Sequence, residues 1–187
     1  MLSLIIFLPL LGALVLLLMG KKRARYAPQV ALAVVVLDFL LSLYIPWRYD
    51  LDGAQFQLIE SWRWIPAFGI SYRVGVDSLS LLLVLLTTFL GIIAVLSSFS
   101  AIQDRRRGYY GALLVLQSAM LGTFLALDVF LFYLFWELML APMFFLIGCW
   151  GSGRRIHAAL KFFLYTFGGS IFLLLALLGL YYLRYKT

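Results

Sequence analysis

In the long apolar run 129–150, the stretch LFWELMLAP places one carboxylate, Glu137, five residues before Pro142. An ionised carboxylate inside a bilayer is costly unless it is paired or wet, so such an acid is a functional hypothesis by default. Glu137 lies nine residues past Asp128, or about 14 Å along a helix, close to a bilayer midplane. Pro142 cannot donate to the Leu138 carbonyl and its ring crowds that oxygen, so the helix is expected to bend beside the acid and leave a carbonyl free for water. Tyr133, Ala141 and Gly148 share the Glu137 face: one hydroxyl and two small residues that let another helix approach closely. Burial favours the protonated acid and a nearby cation favours the ionised one, so a mobile partner would make Glu137 bind and release a proton. The plainer reading is a buried Glu that hydrogen-bonds a neighbouring helix to fix packing.

A second intramembrane acid, Asp38, stands ten residues past Pro28. It is a candidate for the same proton path, and it could equally pair with a neighbour or sit in a wet crevice. Other chemistry is sparse. The single cysteine, Cys149, allows no internal disulfide and no thiolate metal site, and packing is its expected role. The sole histidine, His157, is expected at the surface. There is no Gly-rich phosphate loop, no metal-ligand cluster and no nucleophile beside a base.

The elements that must position these acids follow from composition. Of 187 residues, 65% are hydrophobic and 12% charged, and the mean hydropathy of +1.03 lies far outside the soluble range. With roughly 20 apolar residues needed per crossing, six spans are expected at about 2–20, 28–47, 78–98, 110–127, 129–150 and 157–183. The fold class is thus an all-α polytopic transmembrane bundle. It divides into two N-terminal helices (1–50), an external loop (51–77) and helices three to six (78–187). In that loop, AQFQLIESWRWI alternates: Phe56, Leu58, Trp62 and Trp64 share one face, and Gln55, Gln57, Ser61 and Arg63 the other. ISYRVGV after Gly69 is the expected partner strand of a small external β-hairpin resting on the membrane domain or a neighbouring subunit.

The net charge of +7 is placed by topology and does not form a nucleic-acid footprint. Lys21, Lys22, Arg23 and Arg25, then Arg105, Arg106 and Arg107, then Arg154, Arg155 and Lys161 follow the odd-numbered spans. Arg48, Arg63, Arg73, Arg184 and Lys186 on the other side are offset by Asp50, Asp52, Glu60, Asp77 and Asp128. The positive-inside rule then puts the N-terminus outside. Basic residues follow the first apolar segment, where a signal peptide would carry them ahead of it, so that segment is expected to be retained. Asp128 is well placed to cap the fifth span.

LFYLFWELMLAPMFFLIGCWG followed by AALKFFLYTFGGS, with YRVGVDSLSLLLVLLTTFL in the third span, strongly resembles chain M of bacterial NADH-quinone oxidoreductase (respiratory complex I) and its mitochondrial counterpart, chain 4. The motif W-E-x-M-L-x-P-M-x-F-L-I-G-x-W-G is long and specific. The resemblance implies an antiporter-like, proton-translocating subunit without a redox centre, in the plasma membrane of a bacterium. FMN, iron-sulfur clusters, NADH and quinone are then expected in partner subunits, and the neighbours in the membrane arm are L-like and N-like chains and lipid. It also implies that Glu137 pairs with a lysine on a broken seventh helix, while Lys161 matches a lysine that follows the motif in some members. This chain ends after the sixth span, so by resemblance it is a fragment or needs a second chain, and it is not expected to pump alone. A multi-subunit sodium/proton antiporter or membrane-bound hydrogenase subunit, or a non-pumping structural module of the membrane arm, are the competing readings.

Overall fold

The computed structural model describes residues 1–66 and 69–186. The side chains of Lys21, Lys22, Arg184 and Lys186, counted above in the charge bias, lie outside the described ones. The helices are α1 (Leu2–Leu18), α2 (Ala27–Ser42), α3 (Tyr44–Arg48), α4 (Ser78–Ala101), α5 (Arg106–Leu125), α6 (Val129–Leu138), α7 (Leu140–Trp150) and α8 (Arg155–Lys186). A short 3-10 turn, Lys21–Tyr26, joins α1 to α2. Strands β1 (Gln57–Ile65) and β2 (Ile70–Val76) form an antiparallel pair.

Among the described residues, five helical segments are long and apolar enough to cross a membrane, Arg23–Arg48, Ser78–Ala101, Arg106–Leu125, Val129–Trp150 and Arg155–Leu183, beside the shorter apolar α1. Two of these are interrupted at a single residue by the same cause. Pro46 removes the donor that the Ser42 carbonyl would accept from, and the helix breaks at Leu43; Pro142 does so for Leu138, and the helix breaks at Met139. At the first break the Ser42 hydroxyl turns back to donate to the Phe39 carbonyl at 2.7 Å.

Helix α1 packs mainly along α5 and α2, and α4 closes against α2 and α5. Within α1, Pro9 frees the Ile5 carbonyl, and Ser118 of α5 donates to the neighbouring Ile6 carbonyl at 2.6 Å. One buried cluster joins Leu2, Ile5 and Ile6 to Val74, Val76, Leu121, Leu125 and Phe135; a second joins Leu16, Ala31 and Val35 to Val95, Tyr110 and Leu114. The α6–α7 segment lies against α5, and α8 packs on α7 and α6 with little of its surface covered.

The hairpin is present as expected, but its alternation is not. Gln57 pairs with Val76 and Glu60 with Val74, so β1 carries one extra residue there, where Leu58 adopts a positive φ of 53°. The bulge brings Gln57 onto the face of Glu60 and Trp62, whereas strict alternation put it opposite Trp62. That face lies on the helices. Trp62 stacks on Tyr72, whose hydroxyl donates to Ser3 Oγ at 2.9 Å, and Glu60 sits at the amino end of α1. The Glu60 carboxylate accepts from the backbone nitrogens of Leu2 (2.8 Å) and Ser3 (3.1 Å), and also from the Met1 nitrogen and the Ser3 hydroxyl. Negative charge is favourable at a helix amino end because the unpaired N–H groups point at it. Burial pushes the Glu60 carboxyl up, but the hydrogen bonds from the amino end and Ser3 outweigh it and hold the acid below its ordinary value.

Candidate functional site

Asp128 starts the segment that carries Glu137. Its Oδ1 accepts from the Phe130 and Leu131 nitrogens at 2.9 and 3.2 Å, as an N-cap should, while Oδ2 accepts from the Ser71 nitrogen and hydroxyl of β2 at 3.2 and 3.3 Å. Leu127 N–H donates to the Arg73 carbonyl at 2.8 Å, which ties the free edge of β2 to the α5–α6 turn. The acid's helix is therefore anchored to the hairpin at its start.

Its depth against α5 is set by a close approach. A Cβ on Gly122 would stand 2.4 Å from both Cδ1 and Cγ of Phe135 and 2.5 Å from Cε1, so only glycine lets this ring, 4% exposed, lie flat on α5. Glu137 follows two residues later and is half-buried. Just past it, Met139 N–H reaches back to the Trp136 carbonyl and Met143 N–H to Met139, both at 3.3 Å, while Pro142 is buried. Regular α-helical bonding thus lapses next to the carboxylate.

The opposite wall is α8. A Cβ on Gly148 would meet Ala159 of α8 at an ordinary 3.6 Å, and the Phe144 and Phe163 rings meet edge to face at 5.7 Å. This packing delivers Ser170, 3% exposed, whose hydroxyl donates to Glu137 Oε1. The Tyr133 hydroxyl, one turn earlier on α6, interacts with both Ser170 and Glu137. Carboxylate, alcohol and phenol form a group that can hold a proton and pass it along O–H bonds. Among the described residues, no cluster of three His, Cys, Asp or Glu side chains could hold a metal ion.

Of the residues singled out in the sequence, Tyr133 and Glu137 are together, with Pro142 beside them. Lys161 is not with them: it is exposed, and its position nine residues before Ser170 puts it half a turn round α8, on the face away from Glu137. Asp38 bonds elsewhere, accepting from Gln117 of α5 at 2.7 Å. Ser170 was missed in the sequence reading, although a polar residue within an apolar run is the signal that could have found it. Cationic side chains gather at the far end of the bundle, where Arg25, Arg105, Arg106 and Arg107 line a recess and Arg107 donates to the Met19 carbonyl.

Residues 126–186 match the family model described as NADH:quinone oxidoreductase/Mrp antiporter, TM. The chain is 41% identical over 182 residues to NADH-ubiquinone oxidoreductase chain 4 of Marchantia polymorpha, covering 97% of this chain and 37% of that protein. It is 44% identical over 191 residues to NADH-quinone oxidoreductase subunit M of Rhodobacter capsulatus, covering all of this chain and 37% of that one. Its structure is similar to a chain of respiratory complex I from Thermus thermophilus with bound NADH, at a TM-score of 0.80 and 29% identity, over 96% of this chain and 35% of that chain. The chain thus spans 37% of the length of these curated relatives.

Proposed function

Because the chain is a relative of the subunit M and chain 4 proteins, we propose that it contributes to the membrane arm of a proton-translocating NADH:quinone oxidoreductase, with Glu137 as a proton-binding group. The observation that carries this is the meeting of Glu137, Ser170 and Tyr133 beside the break at Met139. Ser170 donates to the carboxylate and stabilises its charge; Tyr133 adds a second hydroxyl through which a proton can arrive or leave. Where α6 gives way to α7, the Leu138 carbonyl has lost the donor that Pro142 would have supplied and can hold a water against the acid. A cation approaching from a further helix would favour the ionised acid, and its withdrawal would favour proton uptake.

In this reading NADH, FMN, iron-sulfur clusters and quinone belong to partner subunits, and this chain binds none of them. Other membrane-arm subunits and lipid cover the exposed face of α8. The host is a bacterial plasma membrane, with the amino end of α1 and the hairpin on its outer side and the arginine-lined end inside.

The test is Glu137→Gln in the assembled complex, with NADH oxidation and proton translocation measured on the same vesicles. Gln keeps the shape and can still accept from Ser170, but it cannot titrate. Protons moved per NADH oxidised should fall while assembly is retained. Unchanged translocation would leave Glu137 as packing and this chain as scaffold. The family description also names the Mrp antiporter, and a purified complex lacking flavin and iron-sulfur subunits would favour that assignment.

A further inference from the structure

Asp38 is 0% exposed and Gln117 1% exposed, and Gln117 Nε2 donates to Asp38 Oδ2 at 2.7 Å. Two acceptors beside that bond have no partner, Asp38 Oδ1 and Gln117 Oε1. Gly91 of α4 makes the arrangement possible: a Cβ there would come within 2.3 Å of Gln117 Oε1. The amide is therefore wedged between α2 and α4, and its oxygen is closed off from water.

Among the described residues, no cation stands near enough to neutralise Asp38. Helix α2 is packed by α1, α4, α5, α3 and the 3-10 turn. Helices α1 and α4 contain no titratable side chain at all. On α5 the titratable groups are Arg106, Arg107, Tyr109 and Tyr110. The last and nearest, Tyr110, is seven residues before Gln117, roughly 10 Å along the helix. Arg25 of the turn lies thirteen residues before Asp38 and Arg48 of α3 ten residues after, roughly 20 and 15 Å by the same rise. Helix α8, with Arg155, His157 and Lys161, packs on α6 and α7. A partner subunit cannot supply the charge either, since this chain alone already covers Asp38 completely.

An ionised Asp38 would thus be an uncompensated charge in the span, facing one donor, with a second acceptor stranded beside it. One proton on Oδ1 removes both faults: the acid becomes neutral and gains a donor, and Gln117 Oε1 is the acceptor lacking one. We propose that Asp38 is a proton-binding site in its own right, held as the carboxylic acid in a reciprocal pair with Gln117, in which Oδ2 accepts from Nε2 and Oδ1–H donates to Oε1. This site is separate from Glu137: the two acids share no hydrogen-bond partner, and Asp38 is bound on the α2–α4–α5 side of the bundle.

The experiment is infrared spectroscopy at pH 7 of the assembled membrane complex carrying the full chain, comparing the wild type with Asp38→Asn. Asparagine reproduces the neutral acid's pattern, accepting through its oxygen and donating through its amide. The variant should assemble as the wild type does, and the difference spectrum should show loss of a protonated carboxyl carbonyl stretch. Glu137 is present in both samples and cancels, so the result is independent of its role. Loss of ionised carboxylate bands instead would overturn the proposal, and so would failure of Asp38→Asn to assemble, because a pair that needs only a neutral donor tolerates the amide.

Discussion

Replacing Gly122 with alanine tests whether the packing of α6 on α5 sets the position of the acid. The added Cβ would lie 2.4 Å from Phe135 Cγ, about 1 Å inside the ~3.5 Å at which carbon atoms attract. Flipping the ring gives no relief, because Cγ lies on the flip axis. Either Phe135 changes its first side-chain torsion or α6 retreats from α5 by about 1 Å. Overpacking of this kind costs about 1–3 kcal/mol, and the better helix propensity of alanine returns up to about 1 kcal/mol, leaving a net loss of about 1 kcal/mol. The larger effect falls on Glu137, two residues along the displaced segment, whose hydroxyl partner stays on α8. The assay is proton translocation per NADH oxidised in the assembled complex, with thermal stability measured alongside. Gly122→Ala should lower both, and adding Phe135→Leu, which removes the obstructing ring, should restore most of the coupling. Wild-type coupling and stability in the single variant would refute the link between this contact and the site.

The hairpin carries two further expectations. Glu60→Gln should loosen the amino end of α1 by about 1–2 kcal/mol, read as faster amide exchange at Leu2 and Ser3. Because the folded Glu60 titrates below the ordinary glutamate value of ~4.3, its contribution is complete above that value. It is lost as pH falls through the lower folded value, so the Gln variant should show a flatter acid profile. Asp128→Ala removes a cap and the bonds to Ser71 together and should cost about 2 kcal/mol locally, whereas Asp128→Asn keeps the cap and should cost far less. Exchange rates of the Phe130 and Leu131 amides separate the two variants.

Apolar runs made the helices legible in the sequence because a backbone crossing lipid must satisfy itself locally, and local requirements leave a local trace. The cap at Asp128 and the weakness beside Pro142 were readable for the same reason. Pairings across the fold left no such trace. Nothing in the neighbourhood of Asp38 announces Gln117, 79 positions away, nor does anything near Glu137 announce Ser170, 33 positions on. The strand alternation misplaced Gln57 because a bulge is one extra residue whose location depends on the partner strand. Lys161 is the reverse case: its spacing from Ser170 was in the sequence, but it gained meaning only once Ser170 was known to face the acid.

Glu60 and Asp128 also impose an order on biosynthesis. The amino end of α1 bonds to an acceptor 57 or 58 positions later, and β2 is held by a residue a further 57 positions beyond Ser71. At roughly 5–20 residues per second, each partner emerges several seconds after the group it serves. During that interval the α1 amides depend on water, and the hairpin has no fixed seat until the α5–α6 turn has been made. The hairpin is therefore seated only after the helices that precede α6 have been made.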